Sequence, residues 1–88
     1  MPKATIGRIV IVHNVPSNGA IDQPALITRA WSDRPTEEGA VMVNLTVFPD
    51  VSSPVFMGSV MLFDNAEAAH RHSFENQRAV VAHWPERA

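Results

Sequence analysis

The alternation of apolar and polar residues between Gly39 and Phe48 is the feature that most constrains the fold of this chain. The alternating residues are Val41, Val43, Leu45 and Val47 on one side and Met42, Asn44 and Thr46 on the other. Side chains in a β-strand point to opposite faces with a period of two, so this pattern predicts a strand with one buried face. Because such a strand needs partners, other segments must supply a sheet.

Four further segments have the character of strands. They are Ile6–His13, Ala25–Trp31 after Pro24, the apolar run Val55–Phe63, and Ala79–Trp84 before Pro85. These segments are rich in β-branched and aromatic residues and are separated by turn-forming residues, as expected for short strands. Gly58-Ser59 interrupts one run and indicates a bend of the kind that curls a sheet into a barrel.

The segments between the strands predict two loops and one helix. Asn14–Gln23 contains Asn18-Gly19, a strong turn signal, but it is too long for a tight hairpin and predicts an excursion loop. Ser32–Glu38 predicts an exposed loop. Asp64-Asn65 offers a helix N-cap with Glu67 in the first turn, so Asn65–His72 favours a short helix.

These elements predict a mostly-β domain that spans residues 1–88 and forms a small five-stranded barrel. A long first loop followed by shorter connections favours an SH3-like barrel with a short helix near the C-terminus. An OB-like barrel is the alternative, although that fold usually carries a firmer helix between its third and fourth strands.

Composition narrows the class of protein. Of 88 residues, 45% are hydrophobic and 18% are charged, which is enough apolar material for a core. No cysteine is present, so disulfides and thiolate zinc sites are excluded. The net charge of −2 with scattered cations disfavours nucleic-acid binding. With no apolar run near ~20 residues, we expect no membrane helix and a cytoplasmic location. Small domains without covalent staples often oligomerise, so we also expect a homo-oligomer.

The sequence contains no recognisable catalytic motif. A Gly-x-Ser-x-Gly elbow, a phosphate-binding glycine loop and a His-Glu-x-x-His pair are all missing, and we therefore expect a protein that is not an enzyme and needs no cofactor. His70 and His72 flank Arg71 and would share a face only on a strand. No Asp or Cys stands at a supporting spacing, so we expect no metal site.

Polar and aromatic residues on the predicted strands form a candidate ligand-binding set. Its members are Arg8, Arg29, Trp31, Asn44, Thr46 and Trp84. Arginine donates paired hydrogen bonds to phosphate, and tryptophan stacks on nucleobases, so the set suits a small anionic nucleotide. The simpler alternative is the solvated face of a half-open sheet with the tryptophans covering the barrel ends.

A second candidate surface lies on the fourth predicted strand, which is apolar on both faces. We expect Phe56, Met57, Met61 and Phe63 to contribute to an interface with another protomer or another protein, because large exposed apolar patches are uncommon on monomers. The alternative is that the C-terminal segment of the same chain covers this face.

Four short pieces of the chain resemble a group of small, mostly uncharacterised proteins of tailed bacteriophages and prophages. The pieces are Ile6-Gly7-Arg8-Ile9-Val10, Ala25-Leu26-Ile27-Thr28, Val43-Asn44-Leu45-Thr46-Val47-Phe48 and His83-Trp84-Pro85-Glu86-Arg87. That group typically has a Gly-Arg-Ile-Val strand, an Asn-Leu-x-Val-Phe strand and a Trp-Pro pair near its end. The stretch from Ala66 to Val80 departs from the pattern.

The resemblance implies phage origin and action in the cytoplasm of an infected bacterium. Small phage proteins without enzyme motifs include virion accessory proteins and proteins that bind components of host defence, some of them oligomers that sequester nucleotide signals. We therefore expect a non-enzymatic anti-defence protein that sequesters a nucleotide-type immune signal. The alternative is a virion accessory or adaptor protein that docks on a phage or host protein.

Overall fold

The computed structural model describes residues 4–31 and 39–85, which form five strands and one helix. The elements are β1 (Ile9–Ser17), β2 (Ala20–Ala30), β3 (Val41–Val47), β4 (Val55–Phe63), α1 (Ala66–Glu75) and β5 (Val81–His83). The first four strands form an antiparallel meander. β5 then pairs antiparallel with β1 and parallel with β4, which closes the barrel. The loop predicted over Ser32–Glu38 lies outside the described residues.

The prediction of a closed five-stranded barrel with a short C-terminal helix is confirmed. The position of the helix separates the two alternatives, because α1 lies between β4 and β5 while β3 pairs directly with β4. An OB-like barrel would place its helix between the third and fourth strands. The strand order is therefore that of an SH3-like barrel.

The period-two pattern of β3 corresponds to alternating burial. Val41, Val43, Leu45 and Val47 are buried inside the barrel, whereas the residues between them are half-buried. Partners from the other strands complete this core, among them Val10, Val12, Ala25, Ile27, Val60, Leu62, Ala82 and Trp84. Fully burying a Val, Leu or Ile side chain stabilises a fold by about 1.5–3 kcal/mol. The barrel interior is therefore the main source of stability.

The prediction of an excursion loop over Asn14–Gln23 is wrong. Most of that segment forms a long β1–β2 hairpin, in which Ser17 faces Ala20 across a two-residue turn. Asn18 and Gly19 both have positive φ in that turn, as the Asn-Gly signal predicts. A bulge absorbs the extra residues of β1 between His13 and Ser17, which allows a segment with Pro16 to stay in the strand.

The ends of the other strands also differ from the pattern-based expectation. β1 begins at Ile9 rather than Ile6 because Gly7, at φ +93°, turns the chain and donates its N–H to the Ile27 carbonyl oxygen at 2.8 Å. β2 begins at Ala20, so Pro24 lies within it rather than before it. The predicted bounds of Val55–Phe63 are confirmed.

Helix α1 covers the outside of the barrel. Asn65 caps it, because the Asn65 side-chain oxygen accepts a hydrogen bond from the Ala68 N–H at 2.8 Å. The helix continues to Glu75, three residues beyond the predicted end. It packs on β4 and β5 around a second apolar cluster that contains Ala40, Phe63, Ala69 and Val81. The outer face of β5 is therefore also buried.

Two bulges flank Asn44 and bend the sheet. On β4, Gly58 and Ser59 stand opposite Asn44 alone, and on β2 an extra residue, Thr28, lies between the partners of Leu45 and Asn44. The Asn44 side-chain oxygen accepts hydrogen bonds from the Ser59 N–H at 2.9 Å and from Trp31 Nε1 at 2.8 Å. The bend predicted at Gly58-Ser59 is confirmed, and Asn44 stabilises it.

We expect the substitution Asn44→Ala to lower the free energy of unfolding by about 1–2 kcal/mol, since it removes the acceptor of two hydrogen bonds beside the bulges. Urea denaturation followed by circular dichroism measures the change. Asn44→Asp keeps an acceptor at the same place and should retain most of the stability.

Thr46→Ala is the matched control on the same strand and face. If Asn44→Ala and Thr46→Ala have equal stability, the Asn44 oxygen does not stabilise the bulges.

Candidate functional site

The six residues predicted to bind a ligand fall into two groups. Arg29, Trp31, Asn44 and Thr46 lie together on the outside of β2 and β3. Arg8 and Trp84 meet at another place, next to β1 and β5. The predicted set is therefore not one site within a single chain.

Arg29 and Trp31 form a stacked pair. The guanidinium carbon of Arg29 lies 3.9 Å from the centre of the Trp31 ring, which is a cation–π contact. The ring is 50% exposed, and its Nε1–H is fixed by the hydrogen bond to Asn44. No carboxylate among residues 4–31 and 39–85 pairs with Arg29. The pair thus presents a positive charge and an aromatic surface in a fixed orientation.

Arg8 and Trp84 form a looser pair of a different kind. The guanidinium carbon of Arg8 lies 5.3 Å from the centre of the Trp84 ring. Trp84 is buried in the barrel core, and within the described part of the chain its Nε1 has no hydrogen-bond partner. This tryptophan is therefore part of the barrel core and presents no exposed stacking surface.

A shallow groove of about 380 Å³ lies beside Asn44. It is lined by Thr28, Asn44, Leu45, Thr46, Phe56, Met57 and Gly58. Ligand pockets usually have volumes of about 300–1,000 Å³, so the groove lies near the lower end of that range and suits a small ligand or part of a larger one.

The four residues predicted to form an interface differ in exposure and in the residues that they contact. Phe56 is 83% exposed, and Met57 packs partly against the barrel core. Met61 and Phe63 lie in the cluster beneath α1, where Phe63 is only 2% exposed. The helix of the same chain therefore covers one end of this strand and leaves Phe56 open to solvent.

A cluster of three ionisable side chains, which we call the His–Asp–His cluster, consists of His13, Asp22 and His70. His13 Nδ1 lies 2.6 Å from Asp22 Oδ1, and His70 Nε2 lies 3.9 Å from Asp22 Oδ2. The rings of His13 and His70 have centroids 4.0 Å apart. One potential ligand atom from each residue lies within 4.8 Å of the other two. This arrangement has the donor types of a metal site.

Asn14 connects α1 to β1 directly beside this cluster. Its Nδ2 donates to Ser73 Oγ at 2.6 Å and to the Arg78 carbonyl oxygen at 3.2 Å. Ser73 is buried and donates in turn to the Ala79 carbonyl oxygen at 2.6 Å. These bonds hold the last turn of the helix against the strand and so fix the position of His70 relative to His13.

His83 borders the cluster from β5. Its ring stands edge-on to that of His70, with centroids 5.6 Å apart, and only 6% of the residue is exposed. His83 Nδ1 lies 2.9 Å from the Trp84 carbonyl oxygen, which only accepts hydrogen bonds, so Nδ1 carries a proton. In the neutral ring, Nε2 then has a free lone pair.

An open cavity of about 480 Å³ adjoins the His–Asp–His cluster. Its lining residues are His13, Asn14, Ile21, His70, Arg71, Ser73, Phe74 and Arg78. Two arginines thus lie at the edge of the cavity, although Arg71 also pairs with Glu67 at 2.7 Å. The cavity provides access to the cluster from solvent.

The environment of His70 disfavours its protonated form. Burial lowers the pKa of His70 below its ordinary value of 6.5, and the neighbouring His13 and His83 lower the pKa further. Asp22 acts in the opposite direction, but it does not reverse the shift. His70 is therefore neutral at pH 7 and has a lone pair to share.

The sequence pattern did not reveal this cluster because its members come from three elements. His13 and Asp22 face each other only because β1 and β2 form a long hairpin. The Asn18-Gly19 turn signal is typical of such a hairpin, but the predicted excursion loop over Asn14–Gln23 left it out. His70 and His72 do point apart on the helix: His70 contacts His13, whereas His72 lies 5.1 Å from the Phe63 ring.

Comparison with known proteins adds no relatives. No protein-family model matches the chain, and no match was found among curated proteins or among solved structures. Within the described residues, no helix has the length and apolar character that crossing a membrane requires.

We expect acid to destabilise the protein through His70. The folded state holds the His70 proton less tightly than the unfolded state does, because the pKa of His70 is lowered from 6.5 on folding. The contribution of neutral His70 to stability is therefore fully present above pH 6.5 and is lost as the pH falls below that value. Urea denaturation in a chelator, from about pH 8 to about pH 5, should show a smaller loss for His70→Gln than for the wild type.

His72→Gln is the matched control on the same helix and leaves the cluster intact. It should keep the component of the pH dependence that His70 produces. An identical pH dependence in His70→Gln and the wild type would contradict the assignment.

Proposed function

We propose that the protein is a phage-encoded, non-enzymatic binding protein that acts as an oligomer in the cytoplasm of the infected bacterium and sequesters a nucleotide-type signal of host immunity. The observation that carries the proposal is the stacked Arg29–Trp31 pair, fixed by Asn44 beside an open groove. The resemblance of four sequence pieces to small phage proteins supports the biological setting.

The chemistry of this face suits an anionic ligand with a planar ring. The planar guanidinium of Arg29 donates paired, charge-assisted hydrogen bonds to phosphate oxygens. The half-exposed ring of Trp31 offers a stacking surface to a base, and the hydroxyl of Thr46 lies in the adjoining groove. A charged group, a stacking group and a small groove with polar and apolar lining residues thus occur side by side.

The small volume of the groove supports an oligomeric binder. The groove of about 380 Å³ forms one wall of such a site and encloses only part of a cyclic dinucleotide or a similar ligand. A second copy of the chain that packs near Phe56 would supply the opposite wall, and it would also cover an aromatic ring that is 83% exposed.

Isothermal titration calorimetry with cyclic dinucleotides, cyclic trinucleotides and ADP-ribose isomers tests the proposal. We expect one ligand class to bind, and we expect Trp31→Ala to weaken its binding by about 5- to 150-fold, which corresponds to the loss of one stacked base. Arg29→Gln should weaken binding of the same ligand while leaving the fold intact, since Arg29 is exposed.

The controls are exposed residues of the same types on α1, namely Arg71→Gln and Phe74→Ala. Both should bind as the wild type does. Absence of heat with every ligand in the panel, or equal binding by Trp31→Ala and the wild type, would overturn the proposal.

The second candidate function is that of a virion accessory or adaptor protein. The observation that favours it is a patch of exposed apolar side chains at one end of β3 and β4, consisting of Phe48, Val55 and Phe56. Exposed aromatic residues of this kind often anchor protein interfaces. In this case the Arg29–Trp31 pair would contact a protein rather than a nucleotide.

Mass spectrometry of purified virions separates the two functions, because a sequestering protein should be absent from particles. Light scattering of the wild type and of Phe56→Ser provides the second measurement. If Phe56 joins copies of this chain, the variant has a smaller mass in solution. If Phe56 instead docks on a different protein, the wild type and Phe56→Ser both have the mass of a monomer.

A further inference from the structure

We propose that the His–Asp–His cluster of His13, Asp22 and His70 binds one divalent transition-metal ion, with zinc as the expected ion. The site is separate from the Arg29–Trp31 face, and the proposal does not depend on the nucleotide-binding function. The cluster combines donors from β1, β2 and α1 at one edge of an open cavity.

The spacing of the donor atoms is close to that of a metal site. Ligand atoms around tetrahedral zinc lie about 3.3 Å apart, since zinc bonds to nitrogen and oxygen are about 2.0–2.2 Å long. In the cluster, His13 Nδ1 lies 2.6 Å from Asp22 Oδ1 and His70 Nε2 lies 3.9 Å from Asp22 Oδ2, so the two distances fall on either side of that value, and all three potential ligand atoms lie within 4.8 Å of one another. The Asp22 and His70 side chains are 40% and 43% exposed, and shifts of about an ångström in these two would bring the three atoms into coordination range.

The hydrogen-bonding state of the histidines also points to a missing partner. His70 Nε2 and His83 Nε2 are shielded from solvent, and neither has a hydrogen-bond partner among the described residues. A buried polar atom without a partner destabilises a fold by about 1–3 kcal/mol. A cation bound between His70 and Asp22 would satisfy the first of these atoms.

An ordinary His–Asp hydrogen bond does not account for the whole cluster. It explains the 2.6 Å contact between His13 and Asp22 but gives no reason for His70 to place a shielded nitrogen near the same carboxylate. Nor does it explain why two imidazole rings, which repel each other when protonated, lie 4.0 Å apart. A shared cation accounts for all three positions.

The types of donor select the class of ion. Imidazole nitrogens bind zinc, copper, nickel and iron well, whereas calcium and magnesium prefer oxygen ligands alone. Zinc sites with three protein ligands leave a fourth position for water or another ligand. The 480 Å³ cavity, which His13 and His70 line, would supply that ligand.

The scaffold around the cluster is built to keep these donors together. His13 and Asp22 are directly paired across the β1–β2 hairpin, so their backbones are fixed by the sheet. The hydrogen bonds of Asn14 to Ser73 and Arg78 hold α1 against β1. Ligands placed on rigid elements need little reorganisation when the ion binds.

Equilibrium dialysis against zinc, followed by elemental analysis of the purified protein, tests the proposal. We expect one zinc ion per chain and no comparable binding of magnesium. Cobalt provides a second measurement, because a tetrahedral nitrogen and oxygen site gives it visible ligand-field absorption.

The variants His70→Ala and Asp22→Asn should each weaken zinc binding by at least about tenfold, since loss of groups that only support metal ligands already costs 10–100-fold. His72→Ala, on the same helix but outside the cluster, should bind as the wild type does. Circular dichroism confirms that each variant is folded, and Asp22→Asn keeps the shape of the side chain should His70→Ala unfold.

Four outcomes would overturn the proposal. The wild type fails to retain zinc, the folded Asp22→Asn variant binds zinc as tightly as the wild type, or His72→Ala loses zinc to the same extent as His70→Ala. Equal binding of magnesium and zinc would also overturn it, because it would indicate attraction to surface carboxylates rather than to imidazole.

Discussion

The bend that closes the barrel is stabilised by the side-chain oxygen of one residue, Asn44. A sheet of only five strands must bend sharply to close on itself, and bends interrupt the hydrogen bonds between strands. Here the interruptions of β2 and β4 face the same position of β3, where the Asn44 oxygen accepts from the Ser59 N–H and from Trp31. The Asn44 side chain thus gives the Ser59 N–H at the bulge a hydrogen-bond acceptor, and it also orients the Trp31 ring of the proposed ligand-binding face.

The outer face of the barrel is divided by helix α1. Where the helix covers β4 and β5, side chains such as Phe63 and Val81 form a second core. At its margin next to β1, the packing is polar and contains His13 and His70 with their shared carboxylate. The uncovered part, toward β2 and β3, carries Arg29 and Trp31. The packed surface and the two candidate sites therefore lie on the same sheet, and the area that α1 covers separates them.

The sequence predicted the fold well because local patterns determine it. Alternation in β3, the turn signal at Asn18-Gly19 and the capping residue Asn65 each correspond to a local structure. The candidate sites were harder to predict, since they depend on contacts across the chain. Nothing near His70 in the sequence indicates Asp22, because only the unexpected hairpin and the docking of α1 bring the two together. Likewise, no local pattern separates Trp84, which is buried, from Trp31, which is exposed.

The parallel pairing of β4 with β5 has a consequence for how the protein assembles. β5 contains three residues, yet it covers the edges of both β1 and β4. The four-stranded meander that precedes it would have two open edges, and open edges can pair with other chains. Because α1 lies between β4 and β5 in the chain, both edges are protected by residues that follow the helix. The shortest strand is thus the one that leaves neither end of the meander with an open edge.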